Sequence, residues 1–289
     1  MGKIVFMTTI AIENVSDTAL WVAAYRAIES ERRDALYQDP LAGKLAGERG
    51  REIARSMPYG EVTGWIMVVR TIAIDRLIFE ALEDGVDTVV NLGAGLDTRP
   101  YRLNLPAALK WIEIDFPHLI QMKNEKLVGE KPKCELTRIG LDLSKRSEAN
   151  RVYAEIGSQA GRVLILTEGV VPYLSNAQAA DLAEDLRKVP NFHYWIQDYQ
   201  KSGLWNRPAK LKKKLAKAPM KFQHPDPLDF FLSHGWEVKH NILAVEEGER
   251  VGRKFPIPFP WGYLAIFAPR AKKQAFRGAA GYVLFMAHR

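Results

Sequence analysis

The chain has 289 residues, of which 47% are hydrophobic and 26% are charged, a composition typical of a globular protein of ordinary size. No stretch approaches the roughly 18 consecutive apolar residues of a membrane-spanning helix, and the first residues lack the features of a secretory signal. A single cysteine, Cys134, excludes an internal disulfide and a thiolate zinc cluster. These features predict a cytoplasmic protein with no membrane span and no metal centre.

The net charge of +7 is distributed unevenly along the chain. Residues 200–289 contain 17 Lys and Arg against 6 Asp and Glu, and the densest run, residues 201–217, contains no acid. Such a run can contact a phosphate backbone, a membrane surface or an acidic partner. Because no aromatic stacking pattern or nucleic-acid motif accompanies it, we interpret it as a solvated helix face and expect no nucleic-acid partner.

Two helical patterns precede the first strand signal. Apolar residues recur near helical spacing from Thr18 to Leu36, and again from Gly64 to Leu82, where an Asp-Gly turn follows. We therefore expect residues 1–85 to form a helical N-terminal cap and residues 86–289 to form an α/β domain.

From residue 86 onwards, short apolar runs alternate with longer helical stretches. The runs are almost continuously apolar or β-branched, as expected of strands that are buried on both faces of a parallel sheet. Repeated alternation of this kind predicts a doubly wound, Rossmann-like α/β sheet with right-handed crossovers. The predicted strands are Thr88–Leu92, Lys110–Ile114, Leu136–Leu141, Val163–Thr167 and Phe192–Gln197, and the predicted helices lie near 98–106, 117–128, 145–158 and 176–188.

The alternation changes after the fifth predicted strand. A segment rich in Lys and Pro, at about residues 200–235, is interpreted as an insertion on the substrate side that carries a helix. The segments Trp236–Leu243 and Gly281–His288 are suited to two closing strands, with a helix near 262–275 between them. The expected sheet then has seven strands.

The first predicted strand ends in a glycine turn, Gly93-Ala94-Gly95, which leads into a helix. Glycines there permit positive φ and close approach of the backbone to a ligand, and the free N–H groups of the next helix favour negative charge. A dinucleotide fingerprint would require a third glycine where this chain has Thr98, which argues against a nicotinamide or flavin cofactor. By itself, the turn is equally compatible with a ligand site and with a simple tight turn.

The second predicted strand ends in a carboxylate, Asp115, 22 residues after Gly93. An acid at this position of an open sheet can accept hydrogen bonds from both hydroxyls of a ribose. The alternative is a cap for the helix that begins near Pro117. The combination with the glycine turn favours ligand binding.

Two further acids, Asp142 and Glu168, follow the third and fourth predicted strands. Each alone is compatible with a solvated loop or a helix cap. Because the carboxyl ends of parallel strands meet at one edge of a sheet, the set predicts a pocket there. Its polar groups suit a ligand that carries a ribose, an adenine amino group and a cation.

Six motifs occur in one order along the chain: Val15-Ser16-Asp17-Thr18-Ala19, Arg70-Thr71, Asn91-Leu92-Gly93-Ala94-Gly95-Leu96-Asp97-Thr98-Arg99, Glu113-Ile114-Asp115-Phe116-Pro117, Asp142-Leu143 and Thr167-Glu168-Gly169-Val170-Val171-Pro172-Tyr173-Leu174. With these motifs the chain resembles the leucine carboxyl methyltransferase family, and more closely its bacterial branch of S-adenosylmethionine-dependent O-methyltransferases. The resemblance covers about residues 15–200, whereas the last third matches only in outline.

The resemblance implies a class I methyltransferase fold with seven strands, the last of them antiparallel, a helical cap over the site, and S-adenosyl-L-methionine as cofactor. It implies that Arg70 binds the methionine carboxylate of the cofactor, that Asp115 holds the ribose hydroxyls, and that Glu168 lies near the amino end. The other implied cofactor-binding residues are Gly93, Ala94 and Gly95 at the methionine and ribose, Asp142 and Leu143 at the adenine, and Phe116. Without the motifs, Arg70 would be interpreted as a surface arginine of an amphipathic helix.

The sequence indicates less about the methyl acceptor than about the cofactor. Arg99 and Tyr173 are candidates for contacts on the acceptor side, because both lie at the ends of motif strands. The alternative is structural: Arg99 would pair with Asp97 or Asp115, and Tyr173 would pack under the cap.

The acceptor group decides whether a base is needed. A carboxylate is already anionic at pH 7, whereas an alcohol or phenol requires a general base within hydrogen-bond reach. For a phenol, His224 and His234 would be the first candidates, because both are expected in the insertion near the pocket mouth.

The sequence therefore predicts an S-adenosylmethionine-dependent O-methyltransferase that acts on a carboxylate or hydroxyl of a small molecule, or on a protein C-terminus. Two alternatives stay open. One is a non-catalytic, methyltransferase-like module that binds an acidic partner through the basic C-terminal third. The other is an NAD-dependent oxidoreductase, which Thr98 argues against.

Overall fold

A computed structural model describes residues 12–201, 209–257 and 269–288. Across these ranges the chain forms seven strands in one sheet: β1 (Thr88–Leu92), β2 (Lys110–Asp115), β3 (Glu135–Gly140), β4 (Val163–Thr167), β5 (Phe192–Gln200), β6 (Trp236–Leu243) and β7 (Ala280–Ala287). Their order is β3-β2-β1-β4-β5-β7-β6. Strand β7 runs antiparallel to both of its neighbours, β5 and β6, whereas the other neighbouring strands pair in parallel. This is the doubly wound arrangement that the sequence predicts.

Helices lie before the sheet and between its strands. In the described ranges they are α1 (Val15–Ser30), α2 (Ala42–Arg55), α3 (Gly60–Glu83), α4 (Arg99–Arg102), α5 (Pro117–Lys126), α6 (Arg146–Gln159), α7 (Asn176–Arg187), α8 (Ala209–Lys214), α9 (Pro227–Leu232), α10 (Ala244–Arg250) and α11 (Arg270–Arg277). A short 3-10 turn, Val171–Tyr173, follows β4.

The predicted strands agree with the structure except at some ends. Strand β5 continues to Gln200, beyond the predicted end at Gln197, because its last residues pair with β7. Strand β2 includes Asp115, which is in register with Gly140 of β3. These extensions depend on partners that are distant in sequence, so local hydrophobicity does not reveal them.

Helix α1 ends earlier than the predicted Leu36. Its N-terminus is capped by the side chain of Asn14, which accepts a hydrogen bond from the Asp17 amide. The Glu31 and Arg32 amides still bind helix carbonyls, but farther along the chain two side chains of α1 bind backbone amides. The Glu29 carboxylate accepts from the Leu36 amide at 2.9 Å, and the Ser30 hydroxyl accepts from the Asp39 amide at 2.8 Å. These contacts replace the helical pattern.

The helices within residues 1–85 pack in two different ways. Helix α3 places Val69, Ala73 and Leu77 in the main core on one face of the sheet. Helices α1 and α2 pack against each other around a separate cluster that includes Trp21 and Leu45. The second face of the sheet is covered by α6, α7 and α9, whose apolar side chains surround Trp195.

The C-terminal predictions are partly outside the described residues. Helix α8 lies in the predicted insertion, and α11 overlaps the predicted helix at 262–275, of which residues 262–268 are not described. In the basic run, Lys201 pairs with Asp226, and Lys214 donates to the Ser56 hydroxyl. Among the helices that the structure describes, none combines the length and the apolarity needed to span a membrane.

Candidate active site

A cavity of about 410 Å³ opens at the carboxyl edge of the sheet. This volume is within the range of small-molecule sites, roughly 300–1,000 Å³. Its wall combines the ends of β1, β2, β4 and β5 with residues of α1 and α3. The predicted site residues in the wall are Arg70, Gly93, Ala94, Gly95, Asp115, Phe116, Asp142, Leu143, Glu168 and Tyr173.

The glycine turn is fixed against the end of β2. Gly93 and Gly95 have φ of 66° and 48°, in the left-handed region that favours glycine. A Cβ at Gly93 would lie 2.5 Å from the side chain of Val170, so no larger residue fits without a shift. The amides of Gly93 and Ala94 both donate to the Ile114 carbonyl, at 2.8 and 3.2 Å.

Asp115 is held by the backbone at the end of β2. One carboxylate oxygen accepts from the Gly95 amide at 2.6 Å, and the other accepts from the Phe116 amide at 2.7 Å. Burial raises the pKa of Asp115, although both amide hydrogen bonds act in the opposite direction. Because each carboxylate oxygen can accept more than one hydrogen bond, Asp115 keeps capacity for hydroxyl donors in the cavity.

The wall near β3 is formed by Asp142 and Leu143. Asp142 accepts a hydrogen bond from the Ser144 amide at 2.9 Å, and hydrogen bonding by Ser144 lowers its pKa. The Asp142 carboxylate is half-buried, charged and stabilised by its own turn.

Arg70 is buried, which excludes the interpretation as a surface arginine. Its Nε lies 2.9 Å from Glu168 Oε1, and its Nη1 lies 3.5 Å from Asp198 Oδ2. The Nε–H makes no directed hydrogen bond within the described residues, so its contact with Glu168 is electrostatic. Burial by itself would lower the pKa of Arg70, but the charges of Glu168 and Asp198 outweigh it and raise the pKa.

Arg99 lies behind the cavity rather than in its wall. Its guanidinium donates to Glu168 at 2.7 Å, to Asp97 at 2.9 Å and to Asp75 at 2.6 Å. The pairing with Asp97 was the structural alternative for this residue, whereas Asp115 is not a partner in the described structure. The acceptor-side role predicted for Arg99 has no support in this position.

Thr98 explains why the chain has no third glycine in the turn. The Thr98 hydroxyl donates to Asp39 at 2.6 Å, and Asp39 also accepts from Arg26 of α1 at 2.9 Å. The glycine turn is thereby tied to the segment that connects α1 and α2. Asn91, at the end of β1, donates to Asp97 at 2.9 Å and so fixes the other side of the turn.

Tyr173 lines the cavity and also packs against the cluster around α1 and α2. This position is compatible with both roles considered for Tyr173, a contact with the methyl acceptor and packing under the cap. Neither of the two histidines considered for a phenol acceptor, His224 and His234, lies in the described wall. His224 contacts the Asp226 carbonyl and His234 contacts the Phe230 carbonyl, and both rings pack against the ring of Phe230.

Asp198 and Trp21 are two of the wall residues that sequence reasoning missed. Asp198 directly follows the predicted fifth strand, so the rule that located the other acids would also have found it. Trp21 of α1 lines the cavity, and its buried indole nitrogen has no hydrogen-bond partner among the described residues. No motif or spacing in the sequence indicated Trp21.

The cavity wall is acidic. Carboxylates outnumber guanidinium groups, and the described wall contains no lysine. Such a wall favours a ligand with positive charge. The acids are Asp97, Asp115, Asp142, Glu168, Asp181, Asp185 and Asp198, and the arginines are Arg26, Arg70 and Arg146.

The strand order, the antiparallel β7 and the cavity at the carboxyl edge define a class I methyltransferase fold. Solved structures agree. A methyltransferase structure from Thermobifida fusca YX superposes with a TM-score of 0.55 at 12% identity, covering 98% of this chain and 97% of that chain. A DUF574 family protein from Streptomyces avermitilis MA-4680 gives a TM-score of 0.51 at 14% identity, covering 93% and 97%. At these identities the likeness concerns the fold alone.

Sequence comparison identifies the family. A sequence model of the leucine carboxyl methyltransferase family matches residues 19–187. A relative from Mycobacterium avium (strain 104) is 30% identical over 281 residues, covering 84% of this chain and 86% of the relative. Another, from Frankia alni, is 30% identical over 266 residues, covering 86% and 92%. Both are assigned by name as S-adenosyl-L-methionine-dependent methyltransferases. The chain belongs to the leucine carboxyl methyltransferase family.

Proposed function

We propose that this chain transfers the methyl group of S-adenosyl-L-methionine to an oxygen atom of a small acceptor, and that the preferred acceptor group is a carboxylate. As a member of its family, the chain is an S-adenosyl-L-methionine-dependent methyltransferase. This class replaces the two alternatives, the binding module and the NAD-dependent oxidoreductase. The oxygen acceptor and the residue roles are the proposal, and we assign the reaction to the cytoplasm on the basis of the single cysteine.

One observation carries the cofactor assignment: an acidic cavity is lined by a buried arginine, a glycine turn and the carboxylate at the end of β2. The cofactor combines an amino acid, a positively charged sulfonium, a ribose and an adenine. The excess of carboxylates suits the sulfonium, and Gly93 and Gly95 line the cavity, where their backbone can contact a ligand. The residues present therefore fit this cofactor.

The roles follow from the chemistry of each side chain. Arg70 is suited to bind the carboxylate of the amino acid, because a guanidinium can bind a carboxylate through two parallel hydrogen bonds. Asp115 is suited to accept from the ribose hydroxyls. Asp142 and Leu143 would hold the adenine, and Glu168 would lie near the amino group.

The position of α1 supports the prediction of a cap. Several α1 residues line the cavity, among them Thr18, Ala19, Trp21 and Val22. Met220, from the segment predicted to be an insertion on the substrate side, also lies in the wall. We propose that these elements form the acceptor side and exclude water from the reacting atoms.

When bound, the cofactor would supply a methyl group whose carbon bonds to the acceptor oxygen as its bond to sulfur breaks in line, with S-adenosyl-L-homocysteine as the leaving group. The chain itself has to hold the two reactants at near-attack distance, about 3–3.5 Å, with water excluded. The buried ion pairs of Arg70 and the backbone contacts of Asp115 suit this task, because both fix their groups before the ligand arrives. No covalent enzyme intermediate is required.

The lack of histidine and lysine in the described wall supports an acceptor group that needs no general base. A hydroxyl would need a general base, and the described wall contains neither histidine nor lysine. Burial would raise the pKa of Glu168, but the charges of Arg99 and Arg70 outweigh it and lower the pKa, so this carboxylate is a weak base. A carboxylate acceptor is already anionic and needs no base.

The test uses S-adenosyl-L-methionine with a tritiated methyl group and a panel of acceptors. The panel contains apolar carboxylic acids, matched phenols and alcohols, and peptides with either a free or an amidated C-terminus. Mild alkali releases methanol from a methyl ester but not from a methyl ether. We expect tritium to be transferred to an acceptor and to become volatile after alkali treatment. Transfer of label that resists alkali would contradict the carboxylate assignment and favour a hydroxyl.

A further inference from the structure

Asp198 lies beside Glu168 because of the strand register. Thr167 at the end of β4 is paired with Gln197 of β5. The residues that follow these two, Glu168 and Asp198, are therefore acids at the same edge of the sheet. Both acids line the cavity. Unlike Glu168, Asp198 belongs to none of the sequence motifs.

Asp198 is held with one oxygen toward the backbone and the other toward Arg70. Its Oδ1 accepts from the Gly169 amide at 2.6 Å, and its Oδ2 lies 3.5 Å from Arg70 Nη1. Glu168 approaches Arg70 Nε at 2.9 Å. A Cβ at Gly169 would lie 3.3 Å from Arg70 Nη1, so the backbone itself packs closely against this guanidinium. Arg70 is thus already balanced by two carboxylates.

The charge of the whole cluster continues this pattern. Arg70 is connected through Glu168 to Arg99, and Arg99 is connected through Asp75 to Arg102. The cluster contains three guanidinium groups and four carboxylates, which leaves one excess negative charge. The carboxylates are Asp75, Asp97, Glu168 and Asp198.

This balance determines what Arg70 can bind. A ligand with only a carboxylate would add a second excess negative charge to a buried cluster, which is unfavourable at low dielectric. A ligand with a carboxylate and an ammonium group adds no net charge. Its ammonium can also be bound by the carboxylates on either side of Arg70.

We propose that Asp198, together with Glu168, binds the ammonium group of the cofactor's amino acid, and that this pair of acids makes the Arg70 site selective for a zwitterion over a simple carboxylate. The proposal rests on the proposed function, because the ligand is the cofactor of that reaction. It adds a binding residue and a rule of selectivity at the same site.

The experiment measures binding of three nucleosides by isothermal titration calorimetry and compares a variant with the wild type, beside a control variant. The nucleosides are S-adenosyl-L-homocysteine, the analogue in which hydrogen replaces its amino group, 4-(5′-adenosylthio)butyrate, and 5′-methylthioadenosine, which lacks the amino acid. The proteins are the wild type and Asp198→Asn, which preserves shape and removes the charge.

We expect the wild type to bind S-adenosyl-L-homocysteine at least about tenfold more tightly than the deaminated analogue, as for a charged hydrogen bond. In Asp198→Asn this ratio should fall by up to about tenfold, since the variant loses one of the two anionic partners of the ammonium. The affinity for 5′-methylthioadenosine should stay within about twofold, because this ligand lacks the group that Asp198 binds.

Glu247→Gln is the matched control, since Glu247 is a buried carboxylate that pairs with Arg76 and Arg250 outside the cavity wall. It should leave the ratio of the first two ligands unchanged. An Asp198→Asn variant with the wild-type ratio, or one that loses affinity for all three nucleosides equally, would overturn the assignment of Asp198. A folded wild type that binds none of the three would instead overturn the proposed function.

Discussion

The two ends of the cavity are built by different means. At the β2 end, Asp115 is held by backbone amides of Gly95 and Phe116, both on segments next to the strand ends. At the β4 and β5 end, Arg70, Glu168 and Asp198 hold one another through ion pairs between α3 and two strands. The first end depends on local backbone geometry, and the second depends on charges that meet only after folding.

This difference has an energetic consequence. Backbone amides keep their positions when a single side chain changes, so the loss of Asp115 should affect the ligand more than the fold. A buried ion pair is different, because removal of one partner leaves an uncompensated charge. We therefore expect substitutions at the two ends to separate binding from stability.

The largest effect is expected for Arg99→Met. Arg99 is buried and donates to Asp75, Asp97 and Glu168, so its loss leaves three carboxylates with too few partners. We expect a loss of about 3–5 kcal/mol in the free energy of unfolding, measured by urea denaturation. Arg151→Met, at an exposed position of α6, should change it by less than about 0.5 kcal/mol. Equal stability of both variants would contradict the ion-pair account.

The next effect concerns the glycine turn. Gly93→Ala must adopt positive φ and also place a Cβ 2.5 Å from Val170. We expect it to lower the free energy of unfolding by about 2–3 kcal/mol, from backbone strain together with the clash. Gly252→Ala separates the two causes, since Gly252 also has positive φ but nothing lies near its Cβ position. It should cost about 1 kcal/mol. A similar cost at both positions would show that the contact with Val170 is unimportant.

A smaller effect, and one confined to binding, is expected for Asp115→Ala. This change should weaken S-adenosyl-L-homocysteine and 5′-methylthioadenosine by the same factor, about tenfold or more, because both ligands carry the ribose. Asp198→Asn should weaken only the first. Calorimetric titration of both nucleosides into both variants tests the contrast. If Asp115→Ala weakened only S-adenosyl-L-homocysteine, the assignment of Asp115 to the ribose would be wrong.

The most gradual effect is that of pH. The pKa values of Asp97 and Glu168 are lowered in the folded protein, because the neighbouring arginines outweigh burial. Their stabilisation is therefore complete above the pKa values of the unfolded chain, about 3.9 and 4.3, and is lost as the pH falls through the lower folded values. Asp115, whose pKa is raised by burial, contributes in the opposite direction.

Denaturation curves between pH 3 and pH 7 measure this effect. The wild type should lose on the order of 1 kcal/mol per pH unit below about pH 4.5 from these groups. Arg99→Met should lose less on acidification, because its carboxylates are no longer stabilised as anions. A steeper acid loss in the variant would contradict the direction assigned to the two pKa values.

Much of the fold was predictable because its signals are local. Strands β1, β4 and β6 have the predicted ends, and the glycine turn lies where the sequence places it. Apolar runs and turn residues act over a few positions, so they are readable without the partner strands. The end of α1 and the last residues of β5 were missed, since both depend on contacts with distant segments.

The candidate site divides in the same way. The sequence by itself determined the strand alternation, the glycine turn and the acids at the ends of β2, β3 and β4, because each is a short pattern at or next to a strand end. The tertiary structure decided that Arg99 supports Glu168 from behind the wall, that His224 and His234 do not line the cavity, and that Asp198 meets Arg70. Charge pairing across separate elements has no periodicity along the chain, so only the folded structure reveals it.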